Sequence, residues 1–400
     1  MESARLAGTR ASRRRTGARR EASGGRARPA ALVSARTAPS ATRARSACGN
    51  QRCGPCPPAG GPSSSSSAGD TRAFSLWQPT LPAGPARRRP RRRLLFVLLA
   101  LLATPLQAAW LKGNLHTHTS ESDGDSSPAV VAKWYAEHGY DFLVITDHDK
   151  ITTLPDAPLL LIPGEEVTDR LPKRPLHVNA IGLTRVVKPQ GGTTAVEVLQ
   201  RNIDAVREAG GLALVNHPNF GWAFGAEELL QLKGATMLEV ASSHPFVNDI
   251  GPPSVESMWD QLLTAGKRVW AAAVDDMHHL ARPLDEDSVP PGGAWVCVRA
   301  EKREAKAILA ALERGDFYAS TGPVLEEYAV TEKALAVRVA EKWGARYRVQ
   351  FIGSGGKVLQ ETQGPSAAYA IAGDEGYVRA KVIDSNGNAA WLQPLFVSAK

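Results

Sequence analysis

The chain has 400 residues and a formal net charge of +8, long enough for two or three domains and a large core. The charge is unevenly placed: the first 109 residues hold 20 arginines against three acidic side chains, while the rest hold 28 basic and 37 acidic ones. The body of the chain is therefore acidic, which excludes a broad phosphate-backbone-binding surface, so no nucleic-acid surface is expected there.

Residues 1–86 are rich in Arg, Ala, Gly, Pro and Ser, include the serine run 63–67, and carry almost no large apolar side chains. They read as a disordered low-complexity segment, or as sequence ahead of the true translation start, because little apolar surface is available to offset the entropy of ordering. The C-x-x-C formed by Cys53 and Cys56, with Cys48 nearby, lacks the second pair or histidine that a zinc site needs. Residues 87–109 follow the order of a signal peptide: arginines 87–89 and 91–93, an apolar run from Leu94 to Ala103, and an ending from Leu106 to Ala109. That run is short for a bilayer, so no stable membrane span is expected. A periplasmic or secreted location follows, with a membrane anchor as second choice.

From Trp110 short apolar runs alternate with helical patterns. Strands are expected at 110–115, 142–146, 159–162, 177–183, 212–215, 236–240, 269–274 and 294–298. Helices are expected at 128–138, 194–209, 226–231, 254–265 and 302–313. In the second of these Val196, Val198, Leu199, Ile203 and Val206 fall largely on one face, and Gly210-Gly211 stops it. Such alternation predicts an α/β domain over 110–322 with a mainly parallel sheet or barrel. After Gly322-Pro323 the texture changes to alternating strands separated by the turn signals 353–356 and Asn386-Gly387, which predicts a small β-sandwich domain over 323–400.

All nine histidines lie between positions 116 and 279. His116 and His118 follow the first expected strand, His148 the second, and His217 the strand 212–215; Glu166 follows 159–162, while Asp276 and His278 follow 269–274. In parallel α/β folds these strand ends gather on one face. Buried ionisable groups are costly unless paired or metal-bound, so this accumulation predicts a metal site. Imidazole and carboxylate donors together suit Zn, Mn or Fe, and the absence of a nearby thiolate favours an open catalytic site over a closed structural one. Asp147 and Asp275 are candidates for orienting ligand imidazoles.

The segments HTHTSESDG, ITDHD, PGEEVT, HVNAIGL, VNHPN and VDDMHH, in this order, resemble the motif series of the polymerase-and-histidinol-phosphatase (PHP) metallohydrolases over about 110–322. The segment GDFYASTGP and the β-rich region after it are similar to the carbaryl-hydrolase-like branch. The resemblance implies a distorted (β/α)7 barrel holding two or three divalent metal ions. It implies that His116, His118 and Asp276 hold one metal with Glu166, which bridges to a second held by His177 and His217. Asp123, His148 and His278 would make the third site. On spacing alone His177 reads as a packing residue, so its inclusion rests on the resemblance. Glu166 and Asp276 would serve catalysis as well. His244, in ASSHP where the family carries another polar residue, is a candidate substrate contact or acid. His138 suits a helix C-terminus, and His279 and Glu165 stand beside the set without joining it.

The expected function is an exported metal-dependent hydrolase of phosphoesters, mono- or diester, acting on a small phosphorylated molecule. Lys173 or Arg174 is a candidate phosphate contact. Hydrolysis of an ester, carbamate or amide by the same centre is the alternative, and a non-catalytic, metal-stabilised binding protein is a third reading.

Overall fold

The structure, a computed structural model, describes residues 110–247, 250–251 and 253–397; the expected segments 1–86 and 87–109 lie outside them. In chain order the strands are β1 Trp110–Asn114, β2 Phe142–Leu143, β3 Leu160–Leu161, β4 Gly164–Leu171, β5 Arg174–Ile181, β6 Leu212–Val215, β7 Met237–Ser242, β8 Trp270–Val274 and β9 Trp295–Arg299. They continue as β10 Phe317–Ser320, β11 Leu325–Thr331, β12 Ala334–Val339, β13 Tyr347–Gly353, β14 Lys357–Gln363, β15 Ser366–Ala370, β16 Tyr377–Asp384, β17 Ala389–Leu392 and β18 Leu395–Phe396. The helices are α1 Pro128–Glu137, α2 Ala195–Glu208, α3 Ala226–Leu229, α4 Val255–Thr264 and α5 Ala305–Arg314. No helix among the described residues is long and apolar enough to cross a membrane.

Local signals explain the helices. Pro128 occupies the first turn of α1, where its missing N–H costs nothing. Thr194 caps α2 by accepting the Glu197 N–H at 3.1 Å, and Ser254 caps α4 through the Ser257 N–H at 3.1 Å. The α2 face bearing Val198, Leu199, Ile203 and Val206 is fully buried in the core it shares with β5, β6 and α4.

The fold is mixed α/β, but hydrogen bonding does not close the strands into a seven-stranded ring. They form a ten-stranded sheet (β14-β13-β16-β17-β10-β9-β1-β2-β3, with β18 beside β16), a five-stranded sheet (β4-β5-β6-β7-β8) and a three-stranded sheet (β11-β12-β15). Strands β6, β7 and β8 are parallel, whereas β4, β5 and β6 run antiparallel in succession. The seams between the two larger sheets are held sparsely. β2 and β3 are two residues long, and a single parallel bridge, His148 to Glu166, joins that edge to β4. On the other side the Asn114 side chain donates to the Ala294 carbonyl at 3.0 Å and accepts the Asp275 N–H at 3.5 Å. Past residue 322 the chain re-enters the same large sheet, because β17 pairs with β10 and β10 with β9. The three-stranded sheet covers that extension, with Leu335, Val337 and Val339 packed in one core with Val349, Phe351 and Val382.

Candidate metal centre

The parallel strands end on a common polar face. His116 and His118 follow β1, His217 follows β6, and Asp276 and His278 follow β8. His217 (φ 22) and Asp276 (φ 51) adopt left-handed backbone without being glycine, a strain found where a scaffold fixes a functional side chain. β4 contributes Glu166, and β5 contributes His177, paired in register with Thr168.

Glu166 lies at the hub and is 1% exposed. Its Oε1 is 2.9 Å from His177 Nδ1, 3.3 Å from His217 Nε2 and 3.5 Å from His116 Nε2. Its Oε2 is 3.0 Å from His148 Nδ1 and 3.4 Å from His118 Nε2. Asp276 Oδ1 sits 3.1 Å from His116 Nε2 and 3.3 Å from His118 Nε2. Asp123 reaches His148 at 3.3 Å, His278 at 3.4 Å and His118 at 3.5 Å. Donor atoms fall into three overlapping groups, each within 4.8 Å: His116, His118 and Glu166; Glu166, His177 and His217; His118, Asp123, His148 and His278. All nine residues expected as ligands are thus brought together. His118 faces both the first and third groups.

The donor set fits cations. Glu239 Oε1 engages His116 Nδ1 at 2.5 Å, so a neutral His116 turns a bare Nε2 lone pair toward His118 Nε2 at 3.1 Å and Asp276 Oδ1 at 3.1 Å. Acceptor then meets acceptor in a buried site, an arrangement that requires a cation or extra protons. Asp276 Oδ1 and His217 Nδ1 are buried without a hydrogen-bond partner. Electrostatics point the same way. Burial opposes protonation of His116, yet Asp276, Glu239 and Glu166 hold it well above the ordinary imidazole value. His148 is likewise raised, to about 10: burial lowers it, and Asp123 and Glu166 more than compensate. Burial would raise Glu166 and Asp276, but the surrounding imidazoles drive both well below the carboxylate range. The pocket is built for added positive charge.

No family model and no curated protein matches the chain. Among solved structures it is similar to a two-domain protein from Bacteroides vulgatus containing a predicted PHP-like metal-dependent phosphoesterase, with 16% identity over 73% of this chain and 98% of that one, TM-score 0.43. It is also similar to an amidohydrolase from Chromobacterium violaceum with bound sulfate and no metal, with 17% identity over 45% of this chain and 92% of that one, TM-score 0.33.

Several neighbours take roles that differ from the sequence expectation. Neither Asp147 nor Asp275 contacts an imidazole directly; Asp147 reaches His118 only through the Ser122 hydroxyl, 3.3 Å from His118 Nδ1. Asp147 gathers the Thr119 N–H and the Thr119, Ser122 and Thr152 hydroxyls, fixing the loop that carries Asp123. Asp275 accepts from Tyr135 Oη at 2.8 Å and from the Gly292 and Ala294 N–H groups at 2.9 Å each. Glu239 of β7 is the imidazole-orienting carboxylate: it holds His116 and also accepts the His217 N–H at 2.7 Å. Its sequence signal was a lone acid inside an apolar strand. Asn216, also missed, donates to Glu166 Oε1 at 2.7 Å. Glu165 turns to the opposite face, accepts the Val187 N–H at 2.5 Å, and is pushed up to about 7 by burial. His279 accepts the Val289 N–H at 3.0 Å, and His138 caps α1 through the Trp134 carbonyl at 2.7 Å while stacking on the Trp134 ring.

Replacing Glu239 with Gln keeps the shape and removes the charge that polarises His116. Metal affinity is expected to fall about 10- to 100-fold, measured by competition against a chromophoric chelator; unchanged affinity would remove Glu239 from this role.

Proposed function

We propose that the chain is an exported PHP-type metallohydrolase of phosphoesters, of the carbaryl-hydrolase-like branch. Its barrel would be built from the five-stranded sheet and the β9-β1-β2-β3 part of the large sheet, and a β-sandwich would begin near 323. The observation that carries the reading is the convergence of six imidazoles and three carboxylates on one polar face around Glu166. His116, His118, Asp276 and Glu166 would hold one ion, Glu166, His177 and His217 a second, and Asp123, His148 and His278 a third. When bound, two or three Zn, Mn or Fe ions supply a water acidified toward neutral pH and positive charge for a phosphoryl oxygen.

The remaining groups have their own tasks. His244 lines the cavity beside His278 and Asp276. Its Nδ1 accepts the Phe246 N–H at 3.2 Å, so the neutral ring carries its proton on Nε2. Burial first, then His278, pulls its pKa down to about 4 against the opposing Asp276. At neutral pH it is therefore a hydrogen-bond donor for a substrate oxygen rather than a proton reservoir. Arg174, a candidate phosphate contact from sequence, is instead tied to Glu228 at 2.6 Å and to the Ala223 carbonyl.

The test is a side-by-side assay of p-nitrophenyl phosphate, its bis-ester and an aryl carbamate with Mn and Zn, on protein whose metal content has been measured. Phosphoester turnover above an Asp276→Ala background, with at least two metal equivalents per chain, is expected. Turnover of the carbamate alone would move the assignment to ester, carbamate or amide hydrolysis, and turnover of none would overturn the enzyme reading.

A further inference from the structure

The cavity over the ligand cluster has a volume of about 680 Å³, in the range that houses whole drug-sized molecules rather than a single phosphoryl group. Beyond the nine clustered residues its charged lining is Arg170, Lys173, Arg174, Arg282 and Asp287, with His244 and His279 also on the wall. Arg174 is engaged by Glu228. Arg282 is met by Asp285 at 3.5 Å and Asp287 at 3.8 Å. Arg170 and Lys173 are exposed, and among the described residues neither has a carboxylate partner. Two uncompensated cations therefore stand on one wall, both delivered by the β4–β5 hairpin.

The backbone at the hairpin tip adds an independent observation. Leu171 pairs with Arg174, so Pro172 and Lys173 alone make the turn, and Lys173 has φ 62. A turn with proline at its first corner and positive φ at its second favours glycine there. This chain places a long cation at that corner instead, a local strain that points to a function for the side chain.

We infer that Lys173 and Arg170 form a subsite for a second anionic group on the substrate, a carboxylate or a further phosphate, at the end remote from the bond that is cleaved. The flexible lysine stem reaches into the cavity as a mobile charge, and the arginine fork offers paired donors to a planar or tetrahedral anion. Phe220 and Phe246 line the same cavity and give the body of the molecule an apolar surface. The inference rests on the hydrolase reading of the cavity and assigns what that reading leaves open, the class of substrate.

The test uses the metal-loaded full chain and compares kcat/KM for phenyl phosphate, 4-carboxyphenyl phosphate and 1,4-phenylene bisphosphate. Wild type is expected to favour the two esters with a second anion by about tenfold, with the favoured one naming the anion. That preference should shrink between about 0.05 and 0.5 M salt. In the double variant Lys173→Asn, Arg170→Gln it should largely disappear, asparagine being chosen because it tolerates left-handed backbone; Lys173→Arg should retain it. The variant-to-wild-type ratio cancels the electronic effect of the ring substituent. No preference in wild type, or one that survives the double variant, overturns the subsite. If no phosphoester is hydrolysed, the phosphoesterase reading fails and the subsite is still read by calorimetry with phenylphosphonate and 4-carboxyphenylphosphonate. Tighter binding of the carboxylated ligand, lost in the double variant, supports it; equal binding overturns it.

Discussion

Glu166→Gln is expected to lower kcat about a thousandfold and to cost the purified protein at least one metal equivalent. The substitution changes almost no volume, so packing is preserved and the effect isolates charge. The native carboxylate turns one oxygen to His177, His217 and His116, and the other to His148 and His118. A carboxamide halves the acceptor capacity and puts in place of one oxygen an NH2 that carries no charge and has no lone pair to offer a cation. Removing this one negative charge therefore disturbs all three donor groups together. Glu165→Gln is the control, one residue away on the other face of β4 and bonded to Val187. It should retain full metal content and most of the activity, because the carboxamide oxygen still accepts the Val187 N–H and the side chain faces away from the ligand cluster. Full metal content and near-normal turnover in Glu166→Gln would show that the hub is structural.

The site was more legible in the sequence than the fold that carries it. Histidines and acids at successive strand ends announce themselves because burying them unpaired is so unfavourable; His177, which spacing alone reads as packing, converges with them at 2.9 Å from Glu166. Glu239 was not visible in this way: it stands inside MLEV, with no histidine beside it in the chain, and only packing brings it to His116. The β4–β5 hairpin was half missed for a related reason. Both faces of GEEVTDRL carry polar groups, one aimed at the imidazoles and the other into a buried network in which Asp169 accepts from Gly191 and Asn202. Period-two hydrophobic alternation, the usual strand signal, is absent there. Strands after residue 322 were readable from their alternation, but their pairing was not. That β17 continues the sheet through β10 depends on long-range register, which no local pattern encodes.

Arg379→Ala is expected to destabilise the protein by about 3–5 kcal/mol. Arg379 of β16 is 1% exposed and lies over the Trp259 ring. Its guanidinium donates to both carboxylate oxygens of Asp260, at 2.8 and 2.7 Å, and to Glu256 at 2.8 Å. Tyr377 Oη adds a further bond to Asp260 at 2.7 Å. These acids belong to α4, so the cluster fastens that helix to the C-terminal strands. Truncating the arginine leaves Asp260 buried with a charge and no cation, and that loss, rather than the ion pair's own net worth, dominates. Arg379→Met, which refills the volume, should cost as much if charge is decisive and clearly less if packing is. The pH dependence separates the two further. Burial would raise Glu256, but Arg379 and Lys381 bring it below the ordinary value. An acid depressed in the folded state contributes its stability above the unfolded value of about 4.3 and loses it as pH falls through the folded value. The gap between wild type and Arg379→Ala in urea unfolding should therefore be complete at pH 7 and narrow below about pH 4. A gap under about 1 kcal/mol at pH 7, the size of an exposed ion pair, would show that water reaches the cluster and that α4 is held by apolar contacts alone.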